Sequence, residues 1–448
     1  MDGVTAGWVA RAAGAELALG DPDAPGPRRG AFDSRECGPG DLFFGMRGAR
    51  VDGGALAPEA LAAGAWGVVV EPGHAERAVH NAPEGASVLV VPDGLVALWD
   101  LARAWRRELG CKVVGVTGST GKTSTKDILA AILAPHRTTH ASPQNRNTGV
   151  GLPITILEAD RGVEAMVLEM GMRGEGQIAK LAAIAEPDVG VIVSVGPVHL
   201  ELLGTVERVA AAKAELIRDL PEHGACVVPA GEPLLDAHLR DDLDTVTFGP
   251  GGEAMLLAFD TAADGRGGVA EIECRGERIV LELPYSEPYN LLNTLAAVAA
   301  AQLLGVRPNG VVDVAFSSLR GEIVELAGGV TVVNDCYNAN PMSMRAALHH
   351  LAESPAERRL ALLGTMGELG SAAPLFHREI GEEAARLGID VLITVGEEAV
   401  GYAAGYAGET YAVATPEEAA AVLEEIALPG DRVLIKGSRS VGLERVLA

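Results

Sequence analysis

The stretch GVTGSTGKTSTKDIL, Gly115 to Leu129, follows the apolar run CKVV and opens a helix-compatible sequence. A strand that turns through glycines into a segment beginning Lys-Thr has a well-defined chemical use. Backbone N–H groups freed by Gly118 and Gly121, added to the positive end of a helix, hold polyphosphate. Lys122 then reaches the terminal phosphates and Thr123 offers its hydroxyl to Mg²⁺. The loop Gly118-Ser119-Thr120-Gly121-Lys122-Thr123 departs from the common phosphate-loop pattern, because Val116 stands where G-x-x-x-x-G-K-[ST] places its first glycine. A bare strand-to-helix turn would need glycine too, but it has no use for the Lys-Thr that follows.

Outward from this loop the chain separates into three blocks. Residues 1–107 mix short strands (GDLFFGM, WGVVVE, SVLVVPD) with Ala-rich helical runs and close on the helix LVALWDLARAWRREL. The N-terminal MDGVTAGWVARAAGAELALG reads as a short amphipathic helix; with Asp2 and no basic stretch before an apolar core, it does not read as a signal peptide. Residues 108–318 alternate strands and helices. VEAMVLEM and DVGVIVSVG are continuous apolar runs bounded by turns, as a buried parallel sheet requires. A β-rich insertion between Glu222 and Leu283 precedes a helix from Tyr289 to Leu304. Residues 319–448 alternate again: GVTVVND, RRLALLG, DVLITVG and DRVLIKG, with helices between. Two βαβ-type blocks behind a smaller α/β block is the expected architecture.

Composition narrows the class. A chain of 448 residues exceeds what one core supports, so several domains are expected. Against 61 Asp and Glu stand 36 Lys and Arg, a net charge of -25, which argues against duplex nucleic acid or an anionic membrane as partner. Anionic substrates must then be captured by a local cluster of cations, metal and backbone N–H groups. Five scattered cysteines with no C-x-x-C suggest reduced thiols and a cytoplasmic setting. No uncharged apolar run reaches membrane-spanning length.

Polar residues gather at strand ends. Glu169 ends AMVLE, His199 follows VIVSVG, Asp335 ends TVVND, Gly364 ends ALLG and Lys436 ends VLIK. Ligands bind at the carboxyl edge of open parallel sheets, so a site between the second and third blocks follows. Loops are polar anyway, and one such residue means little; a set holding Glu, His, Asp and Lys means more. Glu169 is a candidate partner for an ion held by Thr123, whereas His199 alone reads equally well as a satisfied loop histidine. In VERVAAAKAELIRDL, Lys213 lies on the apolar stripe of Val206, Val209, Ala210, Leu216, Ile217 and Leu220. The ordinary fate of such a lysine is to lay its stem on the core and reach water with its ammonium. Desolvation instead favours the neutral amine, which can react with dissolved CO₂.

Seven segments together, TGSTGKT, LEMGMRGEGQI, VGPVHLELLG, AKAEL, NLLNTLAA, DCYNANPMSM and VLIKGSRS, resemble the Mur ligase family. DSRECGPGDLFFGMRG resembles that family's uridine-nucleotide domain, so the likeness covers nearly the whole chain. The resemblance implies an α/β fold of three domains: a small N-terminal uridine-nucleotide domain, a central P-loop-type parallel-sheet ATPase domain, and a C-terminal Rossmann-like α/β domain. It implies ATP-dependent amide formation through an acyl phosphate, with ADP and phosphate released. DCYNANPMSM and KGSRS most resemble members that add D-alanyl-D-alanine to UDP-N-acetylmuramoyl-tripeptide, the last cytoplasmic step of a peptidoglycan precursor, by a monomer. By the same resemblance Thr123 and Glu169 serve one Mg²⁺, and His199 with a carbamylated Lys213 serves a second. Asn290 and Asn293 meet adenine, Asp335 the ribose, and Arg320 faces the nucleotide. Ser34 and Arg35 hold the uridine diphosphate end. Asn145, Asn147, Asn338, Lys436 and Arg439 face the substrates. The sequence departs from the family's pattern at Tyr289 (usually His), Thr148 (usually Asn), Glu322 and Thr365.

Two other readings are open on the sequence. A ligase of the same fold can add a diamino acid or a glutamate instead. A nucleotide-gated binding protein needs only the phosphate loop and one sensor, and the polar strand ends in two blocks exceed that.

Overall fold

The computed structural model describes residues 1–263 and 267–447. Three sheets carry the chain. The central one has ten strands, and the strand Lys112–Thr117 lies inside it, between Ala165–Glu169 and Val189–Ile192, parallel to both. From Lys112–Thr117 the sheet grows outward on both sides, so its carboxyl end is a topological switch point and the loop Gly118–Gly121 leaves from there. Buried residues throughout these strands reflect helices on both faces, which is why they read as continuous apolar runs and not as alternation.

The β-rich stretch is not a separate body. Ala225–Pro229 and Asp244–Phe248 extend the same sheet in parallel, and the antiparallel strands Ala254–Thr261, Gly268–Cys274 and Glu277–Leu283 continue it. The helix Pro288–Leu303 folds back and packs against the phosphate-loop helix Lys122–Leu133. Its small residues Ala296 to Ala301 are nearly all fully buried, which lets the two helices approach closely.

The C-terminal sheet has six strands, with Asp431–Lys436 between Val330–Asn334 and Arg358–Gly364, all three parallel. The N-terminal sheet has five, four parallel and the strand Glu16–Leu19 antiparallel against Ser87–Val90. That strand corrects the expectation of one helix over the first twenty residues. Thr5 caps a helix that runs only Ala6–Ala12, and Gly14 turns the chain with φ 62° before the strand begins. The helix Gly94–Leu109 runs two residues past the boundary drawn at 107. Trp105 on it is fully buried and donates to the Ala159 carbonyl at 3.0 Å, so the N-terminal and central sheets share one apolar core. Among the described residues no helix is long and apolar enough to cross a membrane.

Candidate active site between the central and C-terminal sheets

Gly121 starts the loop helix with φ 81°, and a Cβ there would lie 2.5 Å from Asn293 Oδ1. Only glycine fits both the conformation and the space. The rest of the loop is tied to the segment after Val189–Ile192. Ser119 N–H donates to the Ser194 carbonyl and Thr120 N–H to the Ser194 hydroxyl, each at 2.9 Å. The Ser119 hydroxyl bridges Gly196 O and N. Lys122 folds back so that Nζ donates to Gly118 O at 2.9 Å. Burial pulls its pKa down, helped by Arg320 and opposed by Glu169.

Glu169 is 1% exposed and fully engaged. Its Oε2 accepts from the Thr123 hydroxyl at 2.8 Å, its Oε1 from Asn147 Nδ2 at 2.7 Å, and its N–H donates to the Ser142 hydroxyl. A hydroxyl and a carboxylate at a helix N-terminus are hard oxygen donors, as Mg²⁺ held partly by substrate phosphate requires. Asn147 therefore stands behind Glu169 and orients it. No group of three or more His, Cys, Asp or Glu poised for a metal occurs among the described residues.

Lys213 sits on the helix Val206–Arg218, 2% exposed, and no described residue pairs with its ammonium. Burial drives its pKa well down and the neighbouring Lys122 adds to the effect. Its stem lies on the core, as the stripe implied, but its head does not reach bulk water.

The C-terminal sheet closes the other side. Asn340 caps the helix Pro341–Glu353 and donates from Nδ2 to the Ser119 carbonyl at 3.4 Å. The same helix seats Met342 against Gly196, where any Cβ would fall 1.9 Å from its sulfur. Lys436, 2% exposed, pairs with Asp335 Oδ2 and donates to the Asn338 carbonyl at 3.2 Å. The Arg320 guanidinium stacks 4.2 Å from the Tyr337 ring centroid. Thr123, Arg320, Tyr337 and Arg439 line one cavity of about 190 Å³; Arg439 also pairs with Glu444 at 3.0 Å. Asn290 and Asn293 are both buried and bonded to each other at 3.3 Å.

His199 is bonded through Nδ1 to the Glu368 carboxylate, which also meets Arg173 Nε at 3.1 Å. The His199 bond, with Arg173 beside it, holds the Glu368 carboxyl below the usual range. Both His199 (φ 53°) and Glu368 (φ 62°) occupy left-handed backbone, uncommon for residues other than glycine.

The expected residues are thus not all in one place. Gly118 to Thr123, Glu169, Asn147, Asn293, Arg320 and Arg439 lie around the loop, and Lys213 lies close enough to feel Lys122. Asn145 is exposed. Ser34 and Arg35 lie on the N-terminal sheet's edge, where Arg35 is bidentate to Asp33. Glu368, Asn340 and Ser142 escaped the sequence reading. Asn340 was accessible, since Asn-Pro before a helical run is a capping signal; Glu368 and Ser142 act across chain separations that no local pattern carries.

Fold and site together define a multi-domain α/β nucleotide-type enzyme with its phosphate loop facing a cation-lined C-terminal domain. Three family models match in order: "Mur ligase family, catalytic domain" over residues 31–106, "Mur ligase middle domain" over 116–301, and "Mur ligase, glutamate ligase domain" over 319–439. The UDP-N-acetylmuramoyl-tripeptide--D-alanyl-D-alanine ligase of Synechocystis is 36% identical, over 93% of this chain and 90% of its own. That of Bacillus subtilis is 34% identical, over 93% and 92%. The structure of MurF from Acinetobacter baumannii superposes with a TM-score of 0.86 at 26% identity, covering 99% of this chain and 98% of that one. MurF from Thermotoga maritima in complex with ADP gives 0.82 at 32%, covering 94% and 96%. The chain belongs to the Mur ligase family.

Proposed function

We propose that the chain is the ATP-dependent ligase that joins D-alanyl-D-alanine to UDP-N-acetylmuramoyl-tripeptide. The observation that carries this is the match of relatives with that activity along nine-tenths or more of both chains. In the reaction, an oxygen of the tripeptide carboxylate attacks the γ-phosphorus of ATP and ADP leaves. The amine nitrogen of D-alanyl-D-alanine then attacks the acyl carbon, loses a proton, and phosphate departs as the C–O bond breaks.

Each step gathers negative charge at one point, so fixed cations and N–H dipoles aimed there lower the barrier most. Lys122 and the N–H groups of residues 121–123, at the start of the loop helix, hold the β- and γ-phosphates. Thr123 and Glu169 hold one Mg²⁺, with Asn147 keeping the Glu169 carboxylate aimed at it. Lys213, carbamylated, supplies oxygens for a second with His199. Bound Mg²⁺ neutralises phosphate charge. Asn290 and Asn293 take the adenine, Asp335 the ribose, Arg320 faces the nucleotide, and Lys436, Asn338 and Arg439 face the substrates from the third domain. Ser34 and Arg35 take the uridine diphosphate end, with Asn145 near the peptide. The work is done by a monomer in the cytoplasm, and five buried free thiols fit that reducing setting.

Phosphate release measured across a panel of amines tests this. Release with D-alanyl-D-alanine and none with single amino acids is expected. Release with a diamino acid or glutamate, and none with the dipeptide, would overturn it.

A further inference from the structure

The second turn of the phosphate-loop helix carries two charges that phosphate binding does not use. Lys126 is 2% exposed, pairs with the carboxylate of Asp127, and donates to the Ser142 carbonyl at 2.7 Å. The other Asp127 oxygen, Oδ2, accepts both the N–H and the hydroxyl of Ser317, each at 3.0 Å. Ser142 in turn accepts the Glu169 N–H through its hydroxyl. One hydrogen-bonded chain thus runs from Glu169 through Ser142, Lys126 and Asp127 to Ser317.

Ser317 lies on the segment that joins the two larger sheets. Two residues on, Leu319 holds φ 62°, and its carbonyl accepts from Tyr337 N–H; Arg320 follows and stacks on that same Tyr337. A buried ion pair is weak evidence for stability, but it does fix one arrangement of the groups around it. We propose that Asp127 is a positioning residue, which seats the interdomain segment at Ser317 so that Arg320 enters the cleft in register with Glu169. The proposal rests on the ligase reading for its kinetic test only.

The variants are Ser317→Ala, which removes one of the two bonds, and Asp127→Asn, which keeps an acceptor and side-chain volume while removing the charge. Expected are falls in kcat of roughly fivefold for Ser317→Ala and tenfold or more for Asp127→Asn, on the scale of one or two hydrogen bonds to a charged group. KM for ATP should stay within about twofold and melting temperature should not track the loss. In small-angle scattering, ATP analogue plus UDP-tripeptide should compact Asp127→Asn less than wild type. Wild-type kcat and wild-type compaction in both variants would overturn the proposal, as would kcat losses explained by unfolded protein. A wild-type enzyme that forms no amide fails the ligase reading instead, and the scattering comparison still decides the role of Asp127.

Discussion

At the scale of single residues, Lys213 carries the sharpest chemistry. A buried amine that pairs with no described residue, beside a second lysine, is driven towards its neutral form, and a neutral amine is the nucleophile that captures CO₂. The carbamate proposed above would give this buried amine two anionic oxygens, whose charge Lys122 would then offset. Lys213→Ala should lose at least about two powers of ten in turnover, the scale of one lost electrostatic contact. Acetate or formate added at high concentration should restore part of it. Near-normal turnover in the variant, or an intact mass lacking the added carboxyl under native conditions, would refute the assignment. Lys213 was legible because its stripe has a 3.6-residue period; Thr123 was legible because it follows glycine and lysine. His199 was not, because its meaning depends on Glu368, 169 residues away, and the sequence says nothing of what meets across a domain interface.

Among the elements, the segment from Gly364 to Glu368 shows how a loop is aimed. His377, fully buried on the helix Ala373–Arg386, donates through Nδ1 to the Ala373 carbonyl, which leaves Nε2 to accept the Met366 N–H at 3.0 Å. Tyr402, stacked near it, donates to the Gly364 carbonyl at 2.9 Å, and Ser438 of the KGSRS segment accepts the Gly367 N–H at 2.8 Å. These bonds need a neutral imidazole, and burial lowers the His377 pKa below its ordinary 6.5. A lowered folded-state pKa means that the unfolded chain takes up its proton first. The contribution is therefore complete above pH 6.5 and is lost as pH falls from there through the folded value. Melting of the wild type should weaken more steeply between pH 7 and pH 5 than that of His377→Gln; identical slopes would show that this histidine is not the cause. The strong strands and long helices were readable from apolar runs and periodicity. The strands Arg29–Ala31, Thr139–Ala141, Gly310–Val311, Glu322–Leu326 and Glu409–Val413 were not, because each is short or lies at a sheet edge, and pairing rather than pattern makes them strands.

For the whole molecule, contacts already cross the cleft: Asn340 on Ser119, Met342 on Gly196, and Glu368 on His199. Few of these are apolar, so the two larger domains should exchange between open and closed arrangements that ligands bias. Nucleotide, Mg²⁺ and UDP-tripeptide together should reduce the radius of gyration; no change at saturation would count against a cleft completed by closure. The cations of this cleft, Lys122, Arg320, Lys436 and Arg439, form a small island on a body of net charge -25. At low ionic strength, where the Debye length reaches about 30 Å, an approaching nucleotide meets the field of the whole acidic body before that of the island and is repelled; at physiological ionic strength the length falls to about 8 Å and the island alone acts at close range. Stopped-flow capture of a fluorescent nucleotide should therefore quicken as salt is first added, opposite to an electrostatically steered enzyme, and slow only when the salt is concentrated enough to weaken the island itself.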